Sequence, residues 1–186
     1  MKAQEIILLL QNAKEVVRQG FFVHELYRVE QFCQKNNLFL VKSEFKVLFA
    51  DDSVYSNKGV RIPPDDKRPG MYFVYLSKDE QKAWLASYYE LMQNHQDLGL
   101  ALGYPRCCVT FFCQNFKDHH TNLELKPSHP HTNLSLREQD LVILSHFPCR
   151  SECPESIKLG EKYLQAIYSV DKEHARELLA RLQVKS

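Results

Sequence analysis

The sequence predicts an α+β protein, with N-terminal helices on a small antiparallel sheet followed by a mainly helical, cysteine-bearing half. Apolar residues recur at helical spacing near both ends of the chain, and short runs rich in β-formers lie between residues 38 and 77. The connections between these runs are short, which favours antiparallel pairing. We therefore expect a helix and antiparallel sheet unit over residues 1–76 and a helical cysteine module over residues 77–186, packed together as one compact domain.

Two helices are predicted first. The first apolar stripe ends before Gly20 and comprises Ile6, Leu9, Leu10, Ala13, Val16 and Val17. The second stripe comprises Phe22, Leu26, Val29 and Cys33. Because Cys33 belongs to this stripe, we interpret it as a small buried hydrophobe rather than as a ligand.

The middle of the chain predicts a sheet and a third helix. Apolar runs predict three or four strands, with the first two helices on one face of their sheet; the runs cover residues 38–41, 45–49, 60–62 and 71–76. Asp51-Asp52-Ser53 predicts a turn. Ser77 and Glu80 have capping-box spacing and predict the start of a helix. We interpret the stripe of this helix as core rather than as the lining of a pocket; it comprises Trp84, Tyr88, Leu91, Met92 and His95.

The stretch 118–134 holds four of the eight histidines, and we interpret it as a solvated loop rather than as a metal site. Ser135 and Glu138 again have capping-box spacing, which predicts a helix carrying Leu141, Val142 and Leu144. Two further helices are predicted towards the C-terminus, with Asp171 as the cap of the second.

The charge balance gives no indication of a nucleic-acid or membrane partner. A net charge of +1 and a pI of about 7.6 produce no strong field towards nucleic acid or an anionic membrane. The apolar run at residues 6–10 is too short to cross a bilayer, so we expect a cytoplasmic protein. There, grouped cysteines are more often metal ligands or reactive thiols than disulfides. In an exported protein, two disulfides would be the leading account.

Five of the six cysteines lie in or just after two short segments that each lead into a helix. In the first, GYPRCC at residues 103–108, Pro105 suits the first helical position, so both cysteines fall in the first turn. In the second, at residues 146–154, Cys153 precedes Pro154 and occupies the N-cap. Free N–H groups and the helix dipole favour a thiolate at both places.

These cysteines predict a metal centre, either zinc or an iron–sulfur cluster, since such a centre needs about four soft ligands. Adjacent residues point about a hundred degrees apart on a helix, so two adjacent cysteines are expected to share an ion only in an irregular turn. Cys113 is expected to face elsewhere. The predicted ligands are Cys107, Cys108, Cys149 and Cys153, with His146 as a substitute or neighbour.

Two other accounts of the cysteines stay open. An enzymatic role of the protein also stays open. One is thiol chemistry, in which a cysteine of lowered pKa is a nucleophile or redox centre and His146 its base. The other is structural, with cysteines that are buried hydrophobes or a zinc ion that only holds the helical half together. Ser156 follows Cys153 closely enough to bond a sulfur or a ligand, or to cap backbone N–H groups.

Together the two segments resemble a prokaryotic domain family of unknown function whose signature is G-Y-P-x-C-C followed by H-x-P-C-x-x-x-C-x-x-S. The similarity covers about residues 98–165, and the N-terminal half has no comparable match. The resemblance implies site positions and no reaction, with Tyr104 and Ser156 as candidate cofactor-binding residues. The positions it marks are Gly103, Tyr104, Pro105, Cys107, Cys108, His146, Pro148, Cys149, Cys153 and Ser156.

Overall fold

The structure, a computed structural model, describes residues 3–49, 59–117 and 120–183. The turn predicted at residues 51–53 lies outside these ranges. Within them, the helices are α1 (Ala3–Leu10), α2 (Val23–Lys35), α3 (Glu80–Leu91), α4 (His95–Ala101), α5 (Arg106–Asn115), α6 (Pro154–Val170) and α7 (Lys172–Arg181). The strands are β1 (Val16–Phe21), β2 (Phe39–Phe49), β3 (Gly59–Ile62) and β4 (Met71–Ser77). The predicted α+β class is confirmed. No helix in the described ranges is long and apolar enough to span a membrane.

The chain divides into two compact units. The sheet unit spans residues 14–103 and contains β1–β4 with α2, α3 and α4. The cysteine unit comprises residues 2–13 and 104–186 and contains α1, α5, α6 and α7. Residues 77–103, which the sequence analysis grouped with the helical module, thus belong with the sheet, while α1 belongs with the later helices.

The sheet is antiparallel throughout, in the order β1-β4-β2-β3. Its central strand β4 pairs with β1 from Val16 opposite Ser77 onwards, and with β2 from Phe39 opposite the same serine. The register between β2 and β4 shifts between Lys42 and Lys46, so the two runs predicted there form one bulged strand. Helix α2 packs on β2 and β4.

Strand β1 replaces the second half of the first predicted helix. Val16 and Val17 were expected to continue that helix, but α1 ends at Leu10 and both valines pair with β4. Asn12 has a φ of 56°, a left-handed conformation that ends helices and that asparagine tolerates. The β-branched valines then favour the strand. Helix α1 packs against α6 in the cysteine unit.

Helix α3 is capped by Asp79 rather than by Ser77. The Asp79 carboxylate accepts the N–H groups of Gln81 and Lys82 at 2.9 and 3.3 Å. The Ser77 hydroxyl instead donates to the Glu15 carbonyl at 2.8 Å, which joins the end of β4 to the start of β1. The capping-box spacing therefore located the helix start correctly to within two residues but chose the wrong cap.

The aromatic stripe of α3 faces solvent, so its assignment to the core was wrong. Trp84 and Tyr88 are each 55% exposed. The residues buried against the sheet are instead Ala83, Ala86, Ser87 and Glu90. Small side chains let the helix approach the strands closely, whereas helical periodicity alone cannot tell which of two apolar faces will be buried. Five residues of the outer face line a shallow groove of about 460 Å³: Glu80, Gln81, Trp84, Leu85 and Tyr88.

A buried carboxylate fixes α3 to two strands of the sheet. Glu90 is 5% exposed and accepts two hydrogen bonds from Arg18 of β1. It also accepts one from Arg61 of β3 at 3.3 Å. The guanidinium groups lie 3.6 Å from the ring centroid of Phe73 and 4.2 Å from that of Phe45, respectively. These cation–π contacts hold the arginines in place around the carboxylate.

The cysteine unit has an apolar core around α6 and α7, and much of the chain that covers it is irregular. Among the described residues of 116–153, the helical turns are two short 3₁₀ segments, Pro130–Thr132 and Arg137–Gln139. The α-helix predicted from Ser135 is therefore wrong. Asp140 has a φ of 58° and ends the second turn. The main core residues are Leu8, Leu134, Ile143, Leu144, Phe147, Tyr163, Ile167, Leu178 and Leu182.

Part of the histidine-rich stretch is packed rather than solvated. Thr132, Asn133 and Leu134 are buried, and the Asn133 amide donates to the Leu182 carbonyl at 2.9 Å. A Cβ atom on Gly160 of α6 would lie 2.8 Å from the Cβ of His131, so only glycine permits this approach. The prediction of a solvated loop was wrong for this segment because its apolar and amide side chains find partners on α6 and α7.

Candidate metal centre

Helix α5 contributes two cysteines from its first turn. Gly103 has a φ of 79°, which glycine adopts without steric cost, and the chain then turns into the helix. Pro105 is the N-cap, one position earlier than predicted, and its carbonyl accepts the N–H of Cys108 at 2.9 Å. Cys107 and Cys108 therefore lie in the first turn, as predicted.

Helix α6 contributes a third cysteine from its N-cap. Cys153 occupies that position and Pro154 the first helical one, as the sequence predicted. The Cys153 N–H donates to the Arg150 carbonyl at 3.1 Å, and its own carbonyl accepts the N–H of Ile157 at 2.9 Å. This tight turn over residues 150–153 follows directly on the fourth cysteine, Cys149.

The four sulfur atoms form one compact group. The Sγ atom of Cys107 lies 3.8 Å from that of Cys108 and 3.7 Å from that of Cys153. The Sγ atoms of Cys108 and Cys153 are 3.7 Å apart. With Cys149 included, all four lie within 4.8 Å of one another. Four thiols at these separations could hold a metal ion.

The adjacent cysteines share the site without the irregular turn that we expected. Helix α5 is α-helical from Arg106 onwards. The Cα–Cβ bonds of a helix tilt towards its N-terminus, so side chains of the first turn extend past the end of the helix. Beyond that end no backbone separates the two sulfur atoms, and both Cys107 and Cys108 reach the same centre.

The site is closed on one side and open on the other. Cys108 and Cys153 are each 1% exposed, Cys149 is partly buried and Cys107 is exposed. The backbone N–H of Cys149 donates to the Sγ atom of Cys108 at 3.4 Å. Such N–H···S hydrogen bonds stabilise negative charge on sulfur, and the N-termini of α5 and α6 at the site act in the same direction.

Cys108, Cys149 and Cys153 do not ionise alike. Burial raises the pKa of Cys108 well above its ordinary value, and burial together with Cys153 raises the pKa of Cys149 to about 11. Burial also opposes ionisation of Cys153, but hydrogen bonds from Ser156 and from the neighbouring thiols outweigh it and lower the pKa to about 7. Of these three thiols, the N-cap cysteine Cys153 therefore loses its proton first.

His146 lies beside the sulfur group, as the neighbour that the sequence analysis allowed, and the thiol group itself does not include it. Its Nε2 atom is 2.9 Å from the Oγ atom of Ser156. That Oγ atom is 3.2 Å from the Sγ atom of Cys108. The Tyr104 ring stacks at a tilt on the imidazole, with centroids 5.1 Å apart. Tyr104 and Ser156 thus lie next to the candidate ligands and against His146.

The remaining cysteines lie outside the group. Cys113, on the same helix as Cys107, is exposed. Cys33 is buried in the sheet unit, where burial and the nearby Glu30 carboxylate raise its pKa to about 11. Sequence reasoning missed Thr132, whose hydroxyl donates to the Ser151 carbonyl inside the cysteine-bearing turn. No motif marks this threonine, so no local signal could have identified it.

Comparisons with known proteins add no relative. No protein-family model matches the chain, no curated protein matches it, and no solved structure matches it.

Proposed function

We propose that this protein binds one zinc ion through Cys107, Cys108, Cys149 and Cys153, and that the ion has a structural role. The observation that carries the proposal is the convergence of four thiols from the starts of two helices. Soft thiolate ligands select zinc and iron among the common metals. We place the protein in the cytosol, where thiols stay reduced and available for a metal.

The sulfur separations favour a single ion over a cluster. Zn–S bonds of about 2.3 Å in a tetrahedral site place the sulfur atoms about 3.8 Å apart. The separations among the sulfur atoms of Cys107, Cys108 and Cys153 are 3.7, 3.7 and 3.8 Å. An iron–sulfur cluster inserts several irons and bridging sulfides between its cysteines, which moves the cysteine sulfurs farther apart than one tetrahedron allows.

The ligand set also favours a structural role. Four thiolates complete the tetrahedron, whereas catalytic zinc sites keep one position open for water or substrate. Zinc with four thiolates has a net charge of about −2, and the two helix N-termini and the Cys149 N–H offset part of this charge. The bound ion would fix the turn over residues 149–153 to the first turn of α5.

The geometry supports a histidine-activated thiol less well. A general base must lie within hydrogen-bond reach of the nucleophile. The Nε2 atom of His146 instead lies against the Ser156 hydroxyl at 2.9 Å. The low pKa of Cys153 is compatible with thiol chemistry, and we treat that chemistry as an outcome of the test below.

Metal analysis of protein purified without oxygen and without a histidine tag tests the proposal. We expect about one zinc per chain and no visible absorption, because Zn²⁺ has a filled d shell. Iron with sulfide and strong visible absorption would replace zinc by a cluster. Metal-free protein whose thiols titrate as free or paired would overturn metal binding altogether and leave thiol chemistry or disulfides.

Cysteine variants test the ligand assignment. Cys108→Ser and Cys149→Ser are each expected to abolish zinc retention, since three thiolates leave the tetrahedron incomplete. Cys113→Ser is the matched control on the same helix, and Cys33→Ser is the control for a buried cysteine elsewhere. Equal zinc content in all four variants would contradict the assignment.

A further inference from the structure

We infer that Ser156 and His146 form a hydrogen-bond chain of fixed direction that ends on the sulfur of Cys108 and positions this ligand. The inference rests on the proposed zinc site and deepens it. Both residues are assigned as positioning residues that act through Cys108, whereas the sequence analysis considered His146 as a substitute ligand or a neighbour.

The hydrogen-bond chain is short and closed to solvent. His146 Nε2, Ser156 Oγ and Cys108 Sγ are linked in series by contacts of 2.9 and 3.2 Å. Their residues are 5%, 0% and 1% exposed, respectively. A buried hydroxyl without a hydrogen-bond partner destabilises the fold, so the position of Ser156 between an imidazole and a sulfur settles which groups it serves.

The number of available protons determines the donor and the acceptor at each step of the hydrogen-bond chain. A metal-bound thiolate carries no proton and can only accept a hydrogen bond. The single hydroxyl proton of Ser156 must therefore point to a ligand sulfur, and that of Cys108 lies 3.2 Å from the hydroxyl oxygen. The Ser156 oxygen then accepts, so the Nε2 atom of His146 must carry a proton and donate. The order is Nε2–H to Oγ–H to sulfur, and it holds for the Nε2-protonated neutral imidazole and for the imidazolium alike.

This arrangement gives the buried ligand Cys108 two hydrogen-bond donors. Its sulfur accepts from the Ser156 hydroxyl and from the Cys149 N–H, at 3.2 and 3.4 Å. Hydrogen bonds in series polarise one another, so the imidazole strengthens the hydroxyl as a donor. Cys107, by contrast, is exposed to water. The protein thus anchors one thiolate deeply and leaves another at the surface.

Tyr104 sets the orientation of the imidazole. Its ring lies over His146 with an interplanar angle of 33°, and its hydroxyl accepts a hydrogen bond from Ser145 at 3.3 Å. Outer partners of this kind fix the orientation and donor strength of metal ligands. The aromatic contact therefore supports the hydrogen-bond chain at His146, the end that lies away from the metal.

Cobalt substitution tests the inference on the full-length protein. Co²⁺ in a thiolate site has sulfur-to-metal charge-transfer bands, which report the electron density on sulfur. Ser156→Ala is expected to shift these bands and to weaken zinc binding about 10- to 100-fold in competition with a chelator. Ser156→Thr keeps the hydroxyl and is expected to retain most of the affinity. Ser169→Ala removes a hydroxyl elsewhere on α6, where it bonds only its own helix at 2.7 Å, and is the control.

A second pair of variants acts away from the sulfur. His146→Gln keeps an N–H donor and is expected to preserve the bands better than His146→Leu, which removes it. If Ser156→Ala and His146→Leu both bind zinc and cobalt like the wild type, with unshifted bands, the inference is overturned and the zinc site stands. If the wild type binds no metal, the proposed function fails and this inference fails with it.

Discussion

The two units of the chain are stabilised by different means. In the sheet unit, three antiparallel strand pairs and the Glu90 ion network connect elements distant in sequence. In the cysteine unit, the described residues of 116–153 have little regular structure but include the buried Ile143, Leu144 and Phe147. Side-chain bonds to the backbone, such as Gln4 to the Val142 carbonyl at 2.6 Å, hold this stretch in place. The four thiols that could hold a metal ion also lie in this unit, where backbone pairing is scarce.

Metal removal is expected to destabilise the cysteine unit much more than the sheet unit, and this is the largest effect we predict. Cys153→Ser, or chelation of the wild type, should lower the free energy of unfolding of the cysteine unit by at least about 3 kcal/mol, because binding energy at a structural zinc site is folding energy. Hydrogen exchange followed by mass spectrometry should show lost protection in residues 104–183 and retained protection in β1, β2 and β4. Equal loss in both units would contradict the comparison.

Removing the buried carboxylate of Glu90 should destabilise the sheet unit rather than the cysteine unit. Glu90→Gln removes the carboxylate charge that pairs with Arg18 and Arg61, and we expect the free energy of unfolding to fall by about 2 kcal/mol. Breaking a fully buried pair costs about 3–5 kcal/mol, and the value is smaller here since the arginine side chains are 31% and 29% exposed.

Denaturant unfolding should measure that loss with zinc content unchanged. The control is Glu177→Gln, which removes an exposed pair with Arg181 at 2.8 Å and should cost less than about 0.5 kcal/mol. A similar loss in both variants would show that burial of Glu90 is unimportant.

The buried Cys33 predicts a pH dependence confined to the sheet unit. Its pKa is about 11 in the folded protein and about 8.5 in an unfolded chain. The neutral thiol is therefore favoured by folding; its contribution is complete below about pH 8.5 and is lost as the pH rises towards 11. The difference in unfolding free energy between Cys33→Val and the wild type should grow in favour of the variant over this range, by about 1 kcal/mol or more. A constant difference would contradict the burial effect.

The outer face of α3 should matter least for stability. Trp84→Ala is expected to change the unfolding free energy by less than about 0.5 kcal/mol, because the side chain is 55% exposed. Ala86→Leu on the buried face should cost about 1–3 kcal/mol by overpacking. Thermal unfolding of the pair measures both effects, and the reverse order would mean that the tryptophan belongs to a core.

Local chemistry explains which features were predictable. Pro105 and Pro154 determine helix starts through their own backbone restrictions, so the placement of the cysteines followed from a few adjacent residues. The side of α3 that meets the sheet, by contrast, depends on tertiary packing, and Ala83 and Ala86 prevailed over larger neighbours. Val16 and Val17 matched the helical period but found a pairing partner in β4. The joint approach of Cys107 and Cys108 required knowing that their side chains extend past the helix end.

The order of elements also has a consequence for synthesis. Helix α1 packs on α6 although roughly 140 residues separate them. During translation at about 5–20 residues per second, roughly 7–28 s pass before α6 follows α1, and until then Ile6, Leu8 and Leu9 lack their partner helix. The sheet unit is contiguous in sequence and is complete on the ribosome long before that. The newborn chain therefore passes through a stage in which the sheet unit is complete while the apolar residues of the α1 segment still lack their partner α6.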